Sequence, residues 1–284
     1  MSLELTYKND FGSVTMYGSN KGNIRICKLE GLGVVANEYT AVQHTGQNGQ
    51  STISQRAVSR AITMQLEVVG DGVGSVLRAT LRVLSREGTL YIENENMSRR
   101  IYCNQVQIPD VERVLKGKIS TFAVQFICDN PYFEDKTDTV CPLYGRFKRL
   151  STPFSLPSVF GEIIAGAQLK NSGDMEVEPQ ITIYYPAAVG NAENVTITNR
   201  TTDKSICLDY APQEDDTIII DVKNRSITSS KTGNLLNHIS IGTFLGDFVF
   251  VRGTNHIEIS LGDVTAGFSV ECRYANLHQE ALIV

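Results

Sequence analysis

The 284-residue chain has 42% hydrophobic and 20% charged residues, which supports a sizeable core and excludes a disordered chain. Its formal net charge of −5 provides no global attraction to nucleic acid or anionic membranes. The start, "MSLELTYKNDFGS", lacks the basic residues and apolar run of a signal peptide, and no apolar stretch nears the roughly 20 residues that span a bilayer. A soluble protein made in a cytoplasm is expected.

In chain order, the first irregular piece is "TGQNGQSTISQR", Thr45 to Arg56, which is polar and unpatterned. It reads either as a solvated hairpin tip or as an arm that orders against a neighbouring subunit, because polar loops of this length often have a task. Gln47, Asn48, Gln50, Ser51 and Thr52 are its candidate oligomer-interface residues. Next, "AITMQLEVVG" alternates Ile62, Met64, Leu66 and Val68 against Thr63, Gln65 and Glu67, the pattern of a half-buried strand. In "VGSVLRATLRVLSREG" the spacing of Val73, Val76, Leu77, Leu81 and Leu84 predicts one amphipathic helix, which Asp71 can cap at the start and Gly88 at the end.

Strand, glycine turn, helix and strand, with Glu93 about 20 residues beyond the glycines, outline a dinucleotide-binding unit. Three features argue against one. Gly70, Gly72 and Gly74 are spaced GxGxG, the preceding strand is polar on one face, and no further βα repeats follow.

The segment "FAVQFICDNPYFED" places Phe122, Val124, Phe126 and Cys128 on one strand face and then stops at Asn130-Pro131. Pro131 cannot donate to a ladder and pushes Asn130 away from helical geometry. Tyr132 and Phe133 can then fold back over the open end of the core, so Asn130, Pro131, Tyr132 and Phe133 form a domain-closing motif. The stretch that follows has low periodicity and holds Pro142, Pro153 and Pro157, the composition of a linker. Beyond it, alternation resumes in "QITIYYP", in Ile257, Ile259 and Leu261, and in Phe268, Val270, Cys272 and Tyr274. The expected organisation is a first domain over residues 1–135, a linker over 136–165 and a second all-β domain over 166–284.

No motif selects a chemistry. The six cysteines and four histidines are scattered, with no metal-ligand spacing and no nucleophile signature. The acid pairs Glu134-Asp135 and Asp215-Asp216 sit in turn-like contexts, and nothing marks a catalytic carboxylate couple. The basic clusters Arg99-Arg100 and Arg146 to Arg149 are short and lack stacking aromatics. No catalytic residue, metal or cofactor is expected.

The element order resembles that of the siphovirus distal tail (Dit) protein family. In the first domain the likeness rests on strand, single helix, strands and then "FICDNPYFED". In the second it rests on a series: "LKNSGDMEVEPQITIY" with Asn171, Gly173 and Pro179, then "NVTITNRTTDKSICL", then "DDTIIIDVKNRSI" with Asp221, then "FVFVRGTNHIEI" with Gly253 and Asn255, and finally "VECRYANLHQEAL". The resemblance implies a mainly β fold, with a tail-tube-like split β-barrel or sandwich carrying one α-helix, followed by a galectin-like β-sandwich. It implies a non-enzymatic homo-hexameric ring that joins the tail tube protein to the baseplate hub or tail-tip protein. DNA would only pass through the central channel, and no membrane would be involved. Such a ring would sit at the virion tail tip after assembly in the host bacterial cytoplasm, as part of a phage, a prophage or a tail-like particle. The alternative, suggested by a β-sandwich second domain, is a carbohydrate-binding module for host cell-wall glycans. The second domain shows no large insertion of the kind that longer relatives use to bind host sugars.

Overall fold

The computed structural model describes residues 3–46, 48–109, 111–115, 118–148, 161–187, 193–260 and 268–281. The chain divides into two compact units, Met1–Lys136 with His278–Val284, and Thr137–Leu277. Among the described residues it is mainly β with one α-helix. Among the described residues no helix is long and apolar enough to cross a membrane.

The first unit begins with β1 (Glu4–Asn9), β2 (Gly12–Tyr17), β3 (Ile24–Glu30), β4 (Asn37–Val42), β5 (Ser51–Ala57) and β6 (Arg60–Val69). After α1 (Val73–Leu84) come β7 (Gly88–Glu93), β8 (Ser98–Cys103), β9 (Gln105–Gln107), β10 (Val111–Leu115), β11 (Ile119–Cys128) and β12 (Phe133–Asp135). One sheet runs in the order β10-β11-β6-β3-β2-β1-β7-β8-β12, with β9 also pairing β11. The β2/β3 junction is a single parallel pairing, Tyr17 with Arg25. The sheet is therefore split there, while β8 and β9 carry the chain back to β11. β4 and β5 belong to none of this and form a two-stranded hairpin of their own.

Alternation decides which faces are buried. Ile62, Met64, Leu66 and Val68 of β6 are fully buried, as are Val124, Phe126 and Cys128 of β11, on the face read from their period of two. Tyr7 and Phe126 meet in this core with ring centroids 5.0 Å apart. α1 lays Val73, Val83 and Leu84 on the same core, with Val76, Leu77 and Leu81 packed at its margin. Its caps differ from the expectation. Gly72, not Asp71, is the N-cap, at a left-handed φ of 80°, and Ser85 is the C-cap, while Gly88 already opens β7. The Gly72 carbonyl receives the Ser75 and Val76 amides, which starts the helix without a side-chain cap. The glycine turn is thus a helix start, and its left-handed geometry needs a residue without Cβ strain.

The second unit contains β13 (Thr139–Lys148), β14 (Gly161–Asn171), β15 (Gln180–Tyr185), β16 (Glu193–Asn199), β17 (Lys204–Tyr210), β18 (Asp216–Asp221), β19 (Ser226–Ser229), β20 (Gly233–Asn234), β21 (Gly253–Ser260) and β22 (Ser269–Tyr274). Their order is β17-β16-β21-β14-β13-β22-β15-β18-β19-β20. β14 joins two layers: residues 161–165 pair with β13, and residues 166–171 pair with β21. The switch falls at Gly166, whose φ is 126° and where an added Cβ would lie 2.5 Å from the Ile257 carbonyl oxygen, so only glycine fits the corner. The core of this β-sandwich includes Ile181, Ile183, Ile197, Leu208, Ile220, Phe250 and Val270. Phe268 stacks between Tyr144, at 4.3 Å, and Tyr185, at 5.4 Å. Leu261, expected on the same face as Ile257 and Ile259, lies outside the described residues.

Two boundaries differ from the sequence reading. The segment 136–165, expected as a linker, holds β13 and the start of β14, both in the second unit. Pro142 lies in β13 beside the register shift between Pro142 and Tyr144 against β22, and bulges are where strands accept proline. Residues 278–284, expected in the second domain, belong to the first unit.

Candidate assembly interface

The β4–β5 hairpin presents nearly every residue to solvent. An isolated two-stranded hairpin is marginal in water. Its rungs run from Asn37 with Ala57 to Val42 with Ser51, with a bulge at Ile53. Glu38 and Arg56 pair across it at 2.6 Å, both exposed, which contributes little. Tyr39 is 59% exposed and Ile53 67%, and Val42 is also exposed. Apolar side chains this exposed, on strands whose outer edges pair with no other strand among the described residues, make the hairpin a candidate interface.

Of the candidate interface residues, Asn48 and Gln50 occupy the exposed turn of this hairpin, Ser51 and Thr52 lie exposed on β5, and Gln47 lies outside the described residues. Sequence reasoning missed the shank. Tyr39 and Ile53 lie on either side of the polar tip, and with both faces exposed there is no alternation to reveal a strand.

The Asn130 side chain accepts the Tyr132 amide in a local turn. Phe133 is fully buried in the first core and opens β12, which pairs with β8 through Glu134 with Arg100 and Asp135 with Arg99. Tyr132 stays partly exposed. Pro131 offers its carbonyl to Arg60 at 2.6 Å, and the Arg60 guanidinium lies 4.5 Å over the Phe133 ring. The motif thus brings Pro131 and Phe133 to one buried cation, a link absent from any sequence spacing.

Around β8 and β12 the charges pair. Arg100 meets Glu134 at 3.0 Å, Lys136 meets Glu93 at 2.7 Å, and His278 meets Asp135 at 2.8 Å. Arg99 donates to the Glu280 carbonyl and also pairs with its carboxylate. The Arg99-Arg100 cluster is therefore held by acids. The side chains of Arg146 to Arg149 lie outside the described residues.

The thiols of Cys103 and Cys128 lie 3.6 Å apart in the core, and hydrogen bonding to Cys128 together with burial pushes the Cys103 thiol up, keeping it protonated and inert. Among the described residues no group of three His, Cys, Asp or Glu side chains could hold a metal ion.

In the second unit the acid pair separates into two roles. Asp215 accepts the Tyr184 hydroxyl at the surface. Asp216 is buried and accepts Ser229 at 2.7 Å, Ser230 at 3.0 Å and Tyr210 at 3.0 Å. Burial pushes its carboxyl up, but the hydrogen bonds from Ser229, Ser230 and Tyr210 outweigh this and hold it below the ordinary carboxylate value. A carboxylate with a depressed folded pKa stabilises fully above its unfolded value of about 3.9, and the contribution is lost as pH falls through the lower folded value. Asp216→Asn is expected to cost the second unit about 1–3 kcal/mol at neutral pH. The wild-type advantage should shrink below about pH 4, as urea titrations from pH 7 to 3 would show. An unchanged difference across that range would exclude the charge as its source.

Three buried asparagines pin the loops of this unit. Asn171 donates to the Met175 and Phe250 carbonyls and accepts the Gly173 amide. Asn255 accepts the Val251 amide and donates to the Val251 carbonyl, and Asn199 donates to the Val249 carbonyl and to Asn255. An added Cβ on Gly173 would lie 2.5 Å from the Leu277 carbonyl oxygen. Asp221 accepts the Asn224 amide and side chain in the β18–β19 turn, and the Pro179 carbonyl takes the Val222 amide. The residues that punctuate the second-domain series thus have definite work as loop anchors and tight approaches.

Comparison with known proteins agrees with this geometry. Residues 172–276 match the family model for the siphovirus-type tail component, C-terminal domain. The crystal structure of the SPP1 Dit protein, gp 19.1, superposes with a TM-score of 0.64 at 11% identity, covering 97% of this chain and 98% of that one. Chains of the phage P2 baseplate in its activated conformation, with calcium or strontium, give TM-scores of 0.47 at 15% and 14% identity, covering 95% of this chain and 98% and 97% of theirs. No curated protein matches the sequence. Residues 172–276 thus resemble the C-terminal domain of the siphovirus-type tail components, and 97% of the chain shares the fold of the SPP1 Dit protein.

Proposed function

We propose that the chain is the ring-forming distal tail protein of a phage-like tail. Six copies close a ring between the tail tube protein and the baseplate hub or tail-tip protein, and DNA only passes through the channel. The SPP1 protein with this fold is described as a hub of the adsorption apparatus in phages that infect Gram-positive bacteria, and a hub position at the virion tail tip suits this chain equally. The observation that carries the ring is the β4–β5 hairpin, a two-stranded arm whose edges pair with no other strand among the described residues and whose Tyr39 and Ile53 are exposed. A head-to-tail contact of this kind, repeated with a fixed rotation, closes into a ring without any chemistry. The role is scaffolding, without catalysis.

Light scattering coupled to size exclusion tests the reading, on the protein alone and mixed with its tail tube and hub partners. The expected result is a six-fold mass, or a monomer that becomes a six-membered ring in the mixture. Persistence as a monomer in both would overturn it.

A further inference from the structure

Arg60 is the first residue of β6, separated from the returning strand of the arm by Val58 and Ser59. It is 8% exposed. Its Nε donates to the Pro131 carbonyl at 2.6 Å, its Nη1 to the Gly31 and Gly33 carbonyls at 2.6 and 2.7 Å, and its Nη2 to the Gln279 carbonyl at 2.7 Å. Every one of these acceptors is a backbone carbonyl, from three segments far apart in sequence. Burying a guanidinium among carbonyls is costly, and a fold that needed only a filled volume would use an apolar side chain there.

The acceptors share a location. Gly31 to Gly33 are the residues by which the chain leaves β3 for the arm. Three successive carbonyls there are all taken: Gly31 and Gly33 by Arg60, and Leu32 by the Ala281 amide at 2.8 Å. Gly31 has a φ of 95°, and an added Cβ would lie 2.2 Å from the Ala61 carbonyl oxygen, so the exit is also sterically tight. On the return side the Val58 amide bonds the Ala36 carbonyl, closing the root. The strap at residues 278–281 is itself secured by His278 on Asp135, by Arg99 on Glu280 and by the burial of Ala281.

We infer that Arg60 and the C-terminal strap are positioning elements for the arm: together they hold the three arm-root carbonyls and so set the direction in which β4–β5 leaves the first unit. The inference rests on the proposed role of the arm in ring closure. A guanidinium is required because its donors point along fixed, divergent directions in one plane, whereas a lysine ammonium is a compact point donor that cannot serve all four carbonyls at once. The strap follows the entire second unit in sequence, so the arm is fixed only after that unit has been made. Subunits would be barred from joining a ring before the second unit and the strap are present.

Hydrogen–deuterium exchange on the full-length protein tests this, comparing wild type with Arg60→Lys, and with a chain ending at Leu277 with and without an added peptide of residues 278–284. Arg60→Lys is expected to raise exchange at residues 31–36 and 57–60 by about tenfold or more while the β1, β7 and β11 amides keep their protection. Truncation should do the same, and the peptide should reverse it. Ring formation should weaken in parallel in both variants. Loss of protection spread evenly over the first unit would show a purely structural role and overturn the inference, as would an unaltered arm root. If wild type forms no ring while the root responds as described, the ring reading fails and the positioning of the arm stands. A root that responds while ring formation is undiminished overturns the link to assembly.

Discussion

Replacing Phe133 with alanine is expected to destabilise the first unit by about 3–5 kcal/mol, the usual cost of deleting a fully buried aromatic ring. Phe133 is wholly enclosed in the first core, and the Arg60 guanidinium covers its face. Truncation leaves a cavity beneath a buried cation, which loses both packing and a cation–π partner. Because β12 begins at this residue, its pairing with β8 should loosen as well. Tyr132→Ala provides the control. That side chain is partly exposed, so its loss should cost about 1 kcal/mol or less. Urea denaturation followed by exchange or by a probe in the first unit reads the two effects separately from the second unit, which need not unfold in the same transition. Equal losses for the two variants would mean that Phe133 is not what closes the core at the Asn-Pro turn.

Strand phases were legible because a half-buried strand writes its burial into the sequence with a period of two. The alternating sets of β6, β11 and β22 are the ones that face the two cores. The helix was legible by the same logic at a period of 3.6, but its cap was not, since Gly72 caps through backbone geometry that carries no side-chain signal. The arm was opaque for the opposite reason: a hairpin exposed on both faces has nothing to alternate, so β5 reads as a polar loop. Pro142 misled because strands accept proline at bulges, and it lies beside the register shift in β13. Arg60 could not be found at all. Its acceptors are residues 31, 33, 131 and 279, and only folding brings them together. The second-domain series was recognisable in advance as a recurring pattern. The structure supplies its cause, since the buried side chains of Asn171, Asn199 and Asn255 each satisfy loop amides or carbonyls.

Excising the arm should separate folding from assembly. Replacing residues 38–56 by an Asn-Gly turn keeps the Asn37–Ala57 rung and the Ala36–Val58 hydrogen bond, and a two-residue turn of this type matches the twist of an antiparallel pair. No residue in the excised stretch belongs to the first core, so the unfolding midpoint should move by less than about 1 kcal/mol in equivalent free energy. The concentration needed for half assembly, by contrast, should rise on the order of 100-fold, because each contact of the proposed ring would lose the arm's strand edges and its apolar anchors together. Finer substitutions locate the anchors. Tyr39→Ser with Ile53→Ser should carry most of the loss, since these two side chains are the large apolar groups most exposed on the shank. Asn48→Ala with Gln50→Ala, at the polar tip, should change assembly by only a few-fold. The reverse ranking would place the contact at the tip, and an arm-less chain that still closes into rings at wild-type concentration would move the subunit interface off the hairpin altogether.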